Sequence, residues 1–263
     1  MCVTPIGRGA RLAPVRTIVG RRWDAWEAAD VAASTAMRRR MTFADRAEAG
    51  RLLAERLAAM GLQDPLVLAL PRGGVPVAAE IARALGAPLD VAFVRKIGAP
   101  GQPELAVGAI ADGDEPEIVL NDTLVRTLDL SEDYIASEAT RELAAIEQRR
   151  RDYAGLRPAV EPTGRAVIVV DDGVATGMTM QAALRQIKRR KPARLIAAAP
   201  VASREAAALL KREADAVVFL ATPRRFGSVG SFYRDFGQVS DEEVAELLKT
   251  ALVSDPPGLT PSS

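Results

Sequence analysis

The segment AVIVV, residues 166–170, is apolar at every position and runs directly into DDGVATGMT. A strand with one wet face alternates apolar and polar residues. A strand apolar on both faces must be covered on both sides, which is the situation inside a parallel sheet. Four further short, mainly apolar runs resemble it: PLVLAL (65–70), PLDVAFV (88–94) and the stretches 194–201 and 215–220. Helical spacing of apolar residues separates them, over 42–60, 75–85, 131–153, 179–190 and 203–213, with a last helix after Ser240. Thr42, Ser131 and Ser240 are read as helix caps, Ser240 with Glu243 as a capping box. Strands alternating with helices predict an α/β fold, doubly wound, with a mainly parallel sheet flanked by helices.

The two aspartates then ask what chemistry stands at the end of that strand. Composition narrows the answer. The 263 residues contain no histidine and one cysteine, Cys2. Ser-His-Asp and Cys-His catalysis, His-based zinc sites, thiolate clusters and internal disulfides are therefore excluded. What remains is carboxylates, basic side chains, backbone N–H groups or a metal held by oxygen. Lys plus Arg total 35 against 34 Asp plus Glu, so net charge +1 gives no reason to expect a nucleic-acid or membrane partner. No apolar stretch approaches the ~20 residues of a membrane span, and no secretory pattern opens the sequence, so a cytoplasmic protein is expected. Residues 1–40, with Trp23 and Trp26, read as a disordered or non-core extension; 41–252 form the domain; 253–263 read as a disordered tail.

Ligands of doubly wound sheets bind beyond the carboxyl ends of the strands, which puts Asp171 and Asp172 at the mouth of a site. GVATGMT sits at a strand-to-helix turn, where backbone N–H groups converge at the positive end of the next helix. Gly173 and Gly177 permit close approach, and Thr176 and Thr179 offer hydroxyls, so the turn reads as a phosphate cradle. A Walker A loop is excluded because Met178 stands where its lysine belongs. A dinucleotide fingerprint is excluded because carboxylates precede GVATG. Those carboxylates would repel a polyphosphate but accept hydrogen bonds from sugar hydroxyls. A sugar phosphate is the ligand indicated.

VIVVDDGVATGMT (167–179) resembles the phosphoribosyl-pyrophosphate (PRPP) motif of type I phosphoribosyltransferases, and the resemblance covers roughly 42–250. It implies a 5′-phosphate site at Gly173, Val174, Ala175, Thr176, Gly177, Met178 and Thr179, with Asp171 and Asp172 on the ribose hydroxyls. PRGG, residues Pro71, Arg72, Gly73 and Gly74, resembles the family's pyrophosphate loop, which implies a cis Pro71–Arg72 bond. Arg95 and Lys96 in FVRKIG resemble the basic pair that contacts pyrophosphate, and the Gly- and Pro-containing stretch after them resembles the flexible loop that closes over the site. Glu104 lies in that stretch and has no assigned role. The segment ATPRRFGSVGSFYRDFGQ would complete a small hood, with Phe232 or Tyr233 facing the base and Phe236 packing the hood on the sheet. KRRK (188–191) reads as a solvated helix end.

The implied reaction moves the phosphoribosyl group of PRPP to a nitrogenous base, a purine or related heterocycle, in nucleotide salvage, releasing pyrophosphate. Asp171, Asp172, Arg72 and Lys96 would carry it. Mg²⁺ would come with PRPP, near Asp171 and Asp172 but without a complete protein cage. Ala175 stands where hypoxanthine–guanine enzymes carry an aspartate, which weakens a 6-oxopurine assignment. The family also implies a homodimer as one assembly. The competing readings are a non-catalytic PRPP-sensing module and, third, a sugar-phosphate hydrolase, for which no residue marks an activated water.

Overall fold

The computed structural model describes residues 42–113, 115–153 and 160–251. The expected extension over 1–40 and tail over 253–263 lie outside them, as do Cys2, Trp23 and Trp26. In chain order the elements are α1 (Arg46–Ala58), β1 (Pro65–Ala69), α2 (Gly74–Leu85), β2 (Leu89–Val91), β3 (Val94–Ala99), β4 (Gln102–Ala111), β5 (Glu117–Leu120) and α3 (Asp122–Thr127). They continue with α4 (Glu132–Tyr153), β6 (Ala166–Val170), α5 (Met178–Arg189), β7 (Arg194–Val201), α6 (Arg204–Leu210) and β8 (Ala216–Ala221). A short 3-10 turn (Val229–Phe232) and α7 (Asp241–Thr250) follow.

Five strands form an all-parallel sheet in the order β2-β1-β6-β7-β8. Its apolar runs are buried on both faces, as their composition requires. Leu66, Leu68, Val167, Val169, Leu195 and Ala197 pack towards α5 and α6. The alternate residues, among them Val67, Ile168 and Ile196, are fully buried on the opposite face, where α1 and α2 lie. Each such Leu, Ile or Val contributes about 1.5–3 kcal/mol on burial. None of the helices among the described residues is long and apolar enough to cross a membrane.

One strand expectation changes. The run 88–94 is not one strand: β2 ends at Val91 and β3 starts a second, antiparallel sheet, β3-β4-β5. Nothing in an uninterrupted apolar run marks such a change of partner. Val94, Ala109 and Ala111 join the central core beneath α5, while Ile97, Val107 and Ile110 pack against Ala139 and Ile146 of α4. The stretch expected as the flexible loop is the β3–β4 hairpin, turning at Gly101 with φ +69° and exposing Gln102 to Glu104.

Asp45, not Thr42, caps α1: its carboxylate accepts the Glu48 N–H at 2.7 Å. The preceding residues are extended instead, because Phe43 pairs with Tyr233 from the far end of the chain. Ser131 and Ser240 cap their helices as expected, accepting the N–H groups of Tyr134 and Glu243, and Ser203 caps α6 through the Ala206 N–H. The KRRK stretch is partly tied down, Arg189 pairing with Glu115 and Glu117 and Arg190 with Glu161.

Candidate active site

In this strand order the topological switch falls between β1 and β6, and the loops leaving those strands diverge there to open a crevice. The loops are Pro71–Gly74 and Asp171–Gly177, the two motifs of the sequence. The Pro71–Arg72 bond is cis. The glycines of the first loop serve the second loop before any ligand. A Cβ on Gly74 would lie 2.6 Å from the Val170 carbonyl and 3.0 Å from Asp171 Cα. A Cβ on Gly73 would overlap the Asp172 carboxylate. The two motifs are one interlocked unit.

Asp171 and Asp172 stand at the end of β6, Asp172 buried and Asp171 partly so. The Asp172 N–H donates to Asp171 Oδ1 at 2.8 Å. Burial pushes the Asp171 carboxyl well above the ordinary aspartate range, the Asp172 charge adds to it, and the Asp172 N–H, Lys96 and Arg46 oppose it. Asp172 is also raised by burial, against the hydrogen bond and charge of Arg46. Arg46 donates from Nε to Asp172 Oδ2 at 2.8 Å and from a terminal nitrogen to the Gly237 carbonyl at 2.8 Å. Its guanidinium carbon lies 3.9 Å from the centroid of the Phe236 ring. Sequence reasoning missed Arg46. The available signal was electrostatic: it is the first residue of α1, where a cation opposes the helix dipole and needs an anionic partner elsewhere.

The turn after the aspartates is divided in use. Val174 is buried, and its N–H and C=O bond to Val201 and Ser203. Gly173 is covered by Val229, whose methyl groups fill the space a Cβ would need. Ala175 and Thr176 are exposed, and the Ser203 hydroxyl donates to the Ala175 carbonyl at 2.6 Å. Gly177 enters α5 with φ +85°, a conformation suited to glycine. The first N–H groups of α5 have no intrahelical acceptor and face the crevice end of the sheet. Of the expected span 173–179, Val174 has both backbone groups bonded within the protein, while Ala175 and Thr176 are exposed.

The basic residues separate. Successive strand side chains point to opposite faces, so Arg95 and Lys96 diverge. Arg95 turns to α4 and pairs with the buried Glu142 at 2.7 Å, while Lys96 is the one close enough to act on Asp171. Arg72 reaches Asp241 at 3.5 Å in an exposed pair; the same carboxylate accepts the Tyr153 hydroxyl. In the hood, Phe232 and Tyr233, expected to face a base, are 7% and 6% exposed. The Tyr233 hydroxyl donates to the Asp172 carbonyl, and its ring packs on Phe43 and Phe236. Burial, then the Asp172 charge, pushes the Tyr233 phenol far above its ordinary range. The exposed ring is Phe236, at 37%. Beside Arg46 opens a cleft of about 310 Å³, bounded by Pro76, Asp235, Gly237 and Glu243.

Among the described residues no three metal-ligating side chains cluster. Two adjacent carboxylates, one already held by Arg46, fit a hard cation that takes most of its oxygens from substrate and water.

Fold and site together define a doubly wound α/β protein with a glycine-containing strand-to-helix turn and a carboxylate pair at its switch point. Residues 44–236 match the phosphoribosyl transferase domain, and the chain belongs to that family. It is 44% identical over 209 residues to Mycobacterium tuberculosis proteins from strains H37Rv and CDC 1551, provisionally named phosphoribosyl transferases. That match takes in 80% of this chain and 47% of theirs, so the chain spans about half the length of these curated relatives. The crystal structure of TT1426 from Thermus thermophilus is similar at 47% identity and TM-score 0.68, over 80% of this chain and 98% of that one.

Proposed function

We propose that residues 41–252 form a catalytic domain that binds PRPP across the switch point and transfers its phosphoribosyl group to a nitrogenous base, a purine or related heterocycle, with release of pyrophosphate. The observation that carries this reading is the interlock of the two loops, with Gly73 and Gly74 seated on Asp172, Asp171 and Val170. It joins an anion-binding turn and an acidic pair in one crevice, the pairing that suits a phosphorylated sugar.

The 5′-phosphate is assigned to the N–H groups of Ala175 to Thr179 with the Thr176 and Thr179 hydroxyls, each such bond contributing about 1.5–3 kcal/mol. Asp171 and Asp172 accept the ribose diol. Pyrophosphate is assigned to the backbone of residues 71–74 and to Lys96. Arg72 joins it by exchanging its pair with Asp241, at little cost because both side chains are exposed. Displacement at C1 passes through an oxocarbenium-like state, so these residues act by charge placement and no histidine or thiol nucleophile is needed. Mg²⁺ bound with PRPP near Asp171 and Asp172 would neutralise charge building on the leaving pyrophosphate.

Calorimetric titration with PRPP and Mg²⁺, followed by a pyrophosphate-release screen across purine and pyrimidine bases, tests the reading. Binding with release for one base is expected. Binding without release for any base would make the chain a PRPP-sensing module. Absence of binding would overturn the site.

A further inference from the structure

Arg46 is out of place by local rules. It is a cation on the first residue of a helix, its side chain is only 12% exposed, and yet its side-chain hydrogen bonds run to distant sequence. Asp172 lies 126 residues away and Gly237 lies 191 residues away. The guanidinium has its plane against Phe236, one edge on Asp172 and a terminal nitrogen on the Gly237 carbonyl. Arginine suits this position because its donors are fixed in one plane; lysine offers a single point of charge.

The arrangement joins the hood to the diol-binding end of β6. The hood segment is bonded to the residues just before α1: Phe43 N–H to the Phe232 carbonyl, Arg234 N–H to Phe43, and Asp235 N–H to Ala44. Phe236 and Gly237 continue that segment, so the surface that positions Arg46 is part of the hood. Tyr233, in the same segment, holds the Asp172 backbone carbonyl. Asp172 is thus gripped by the hood at both side chain and backbone. Arg46 holds the carboxylate through Oδ2 and so fixes its orientation beside Asp171.

From this we infer that Arg46 is the positioning residue for Asp172: it fixes the carboxylate orientation that accepts the ribose diol and couples the state of the hood to PRPP affinity. This rests on the assignment of Asp172 to the diol. Arg46 itself touches no substrate. Its effect passes through Asp172, and Phe236 and Gly237 keep it in plane.

The test is a double-variant cycle on the full chain, read by calorimetric titration with PRPP and Mg²⁺ and by thermal melting of each variant. Arg46→Ala is expected to weaken PRPP binding about tenfold, and Asp172→Ala by a similar factor. The double variant is expected to bind no worse than Asp172→Ala alone. Methylguanidine in the buffer should restore part of the binding lost in Arg46→Ala and none of that lost in Asp172→Ala. A merely structural role for Arg46 would not give this selective rescue. Should Arg46→Ala fail to fold, Phe236→Leu, which alters an exposed ring, carries the test with an expected loss of about threefold that disappears in the Asp172→Ala background. Losses that multiply, or wild-type binding in Arg46→Ala, would overturn the inference while leaving the diol assignment intact. Unchanged binding in Asp172→Ala would remove both.

Discussion

In the crevice, contact is backbone on backbone: Gly74 lies against the Val170 carbonyl and Asp171 Cα with no room for a methyl group. In the hood, side chains add to a few backbone bonds: Tyr233 packs on Phe43 and Phe236, and Arg46 on Phe236. The crevice comes from two short stretches, each a strand end and its following turn. The hood joins residues 43–46 to 232–237, nearly the full length of the domain. The first kind of contact leaves a mark in local sequence, because only glycine fits it. The second leaves almost none, since aromatic and basic residues serve many purposes.

The contrast can be broken most severely at Gly74. Gly74→Val places atoms where the Val170 carbonyl already is, so the two loops must part. We expect destabilisation on the order of 3 kcal/mol, seen in urea unfolding, together with loss of PRPP binding. Retained binding would mean that the loops do not act as one unit.

Asp171→Asn should separate stability from function. The folded-state carboxyl is raised, so the folded protein holds protons more strongly than the unfolded chain. Stability attributable to this group is therefore present below the ordinary aspartate range and is lost as pH rises from about 4 toward the raised value. The variant should melt higher than wild type at neutral pH, with a flatter pH dependence, while binding PRPP at least about tenfold more weakly. A lower melting temperature at pH 7 would contradict the electrostatic account.

Tyr233→Phe removes the donor to the Asp172 carbonyl and leaves the ring packing in place. A loss of about 1–3 kcal/mol in stability is expected, from a buried acceptor left without its partner. No change would show that solvent replaces the hydroxyl freely. The smallest effect belongs to Gly227→Ala in the hood, where a Cβ would meet only the Ser231 hydroxyl at 3.9 Å. Stability within about 0.5 kcal/mol of wild type is expected by chemical denaturation. A large loss there would erase the distinction from Gly74.

Much of the crevice was legible because its logic is local. The apolar strand, the Asp171–Asp172 pair and the turn entering α5 lie within one short stretch. Even there the sequence does not show that the Val174 backbone is bonded to Val201 and Ser203, or that Val229 covers Gly173. The Arg95–Lys96 pair shows a different limit. Adjacent residues look like one basic patch in sequence, yet strand geometry sends Arg95 to Glu142 and Lys96 towards Asp171. Thr42 shows a third. It had the chemistry of a cap, but pairing of Phe43 with Tyr233 keeps the chain extended until Asp45.

By itself the sequence determined the parallel sheet, most helix starts and the two motif loops. These follow from periodicity, side-chain caps within three residues of their target, and steric rules that act on single residues. The tertiary structure alone decided which charge faces which: Arg46 on Asp172, Arg72 on Asp241, and Tyr233 on the Asp172 backbone. Such pairings depend on distance in space between segments far apart in the chain, and an ionic or aromatic partner leaves no periodicity in the sequence to announce it.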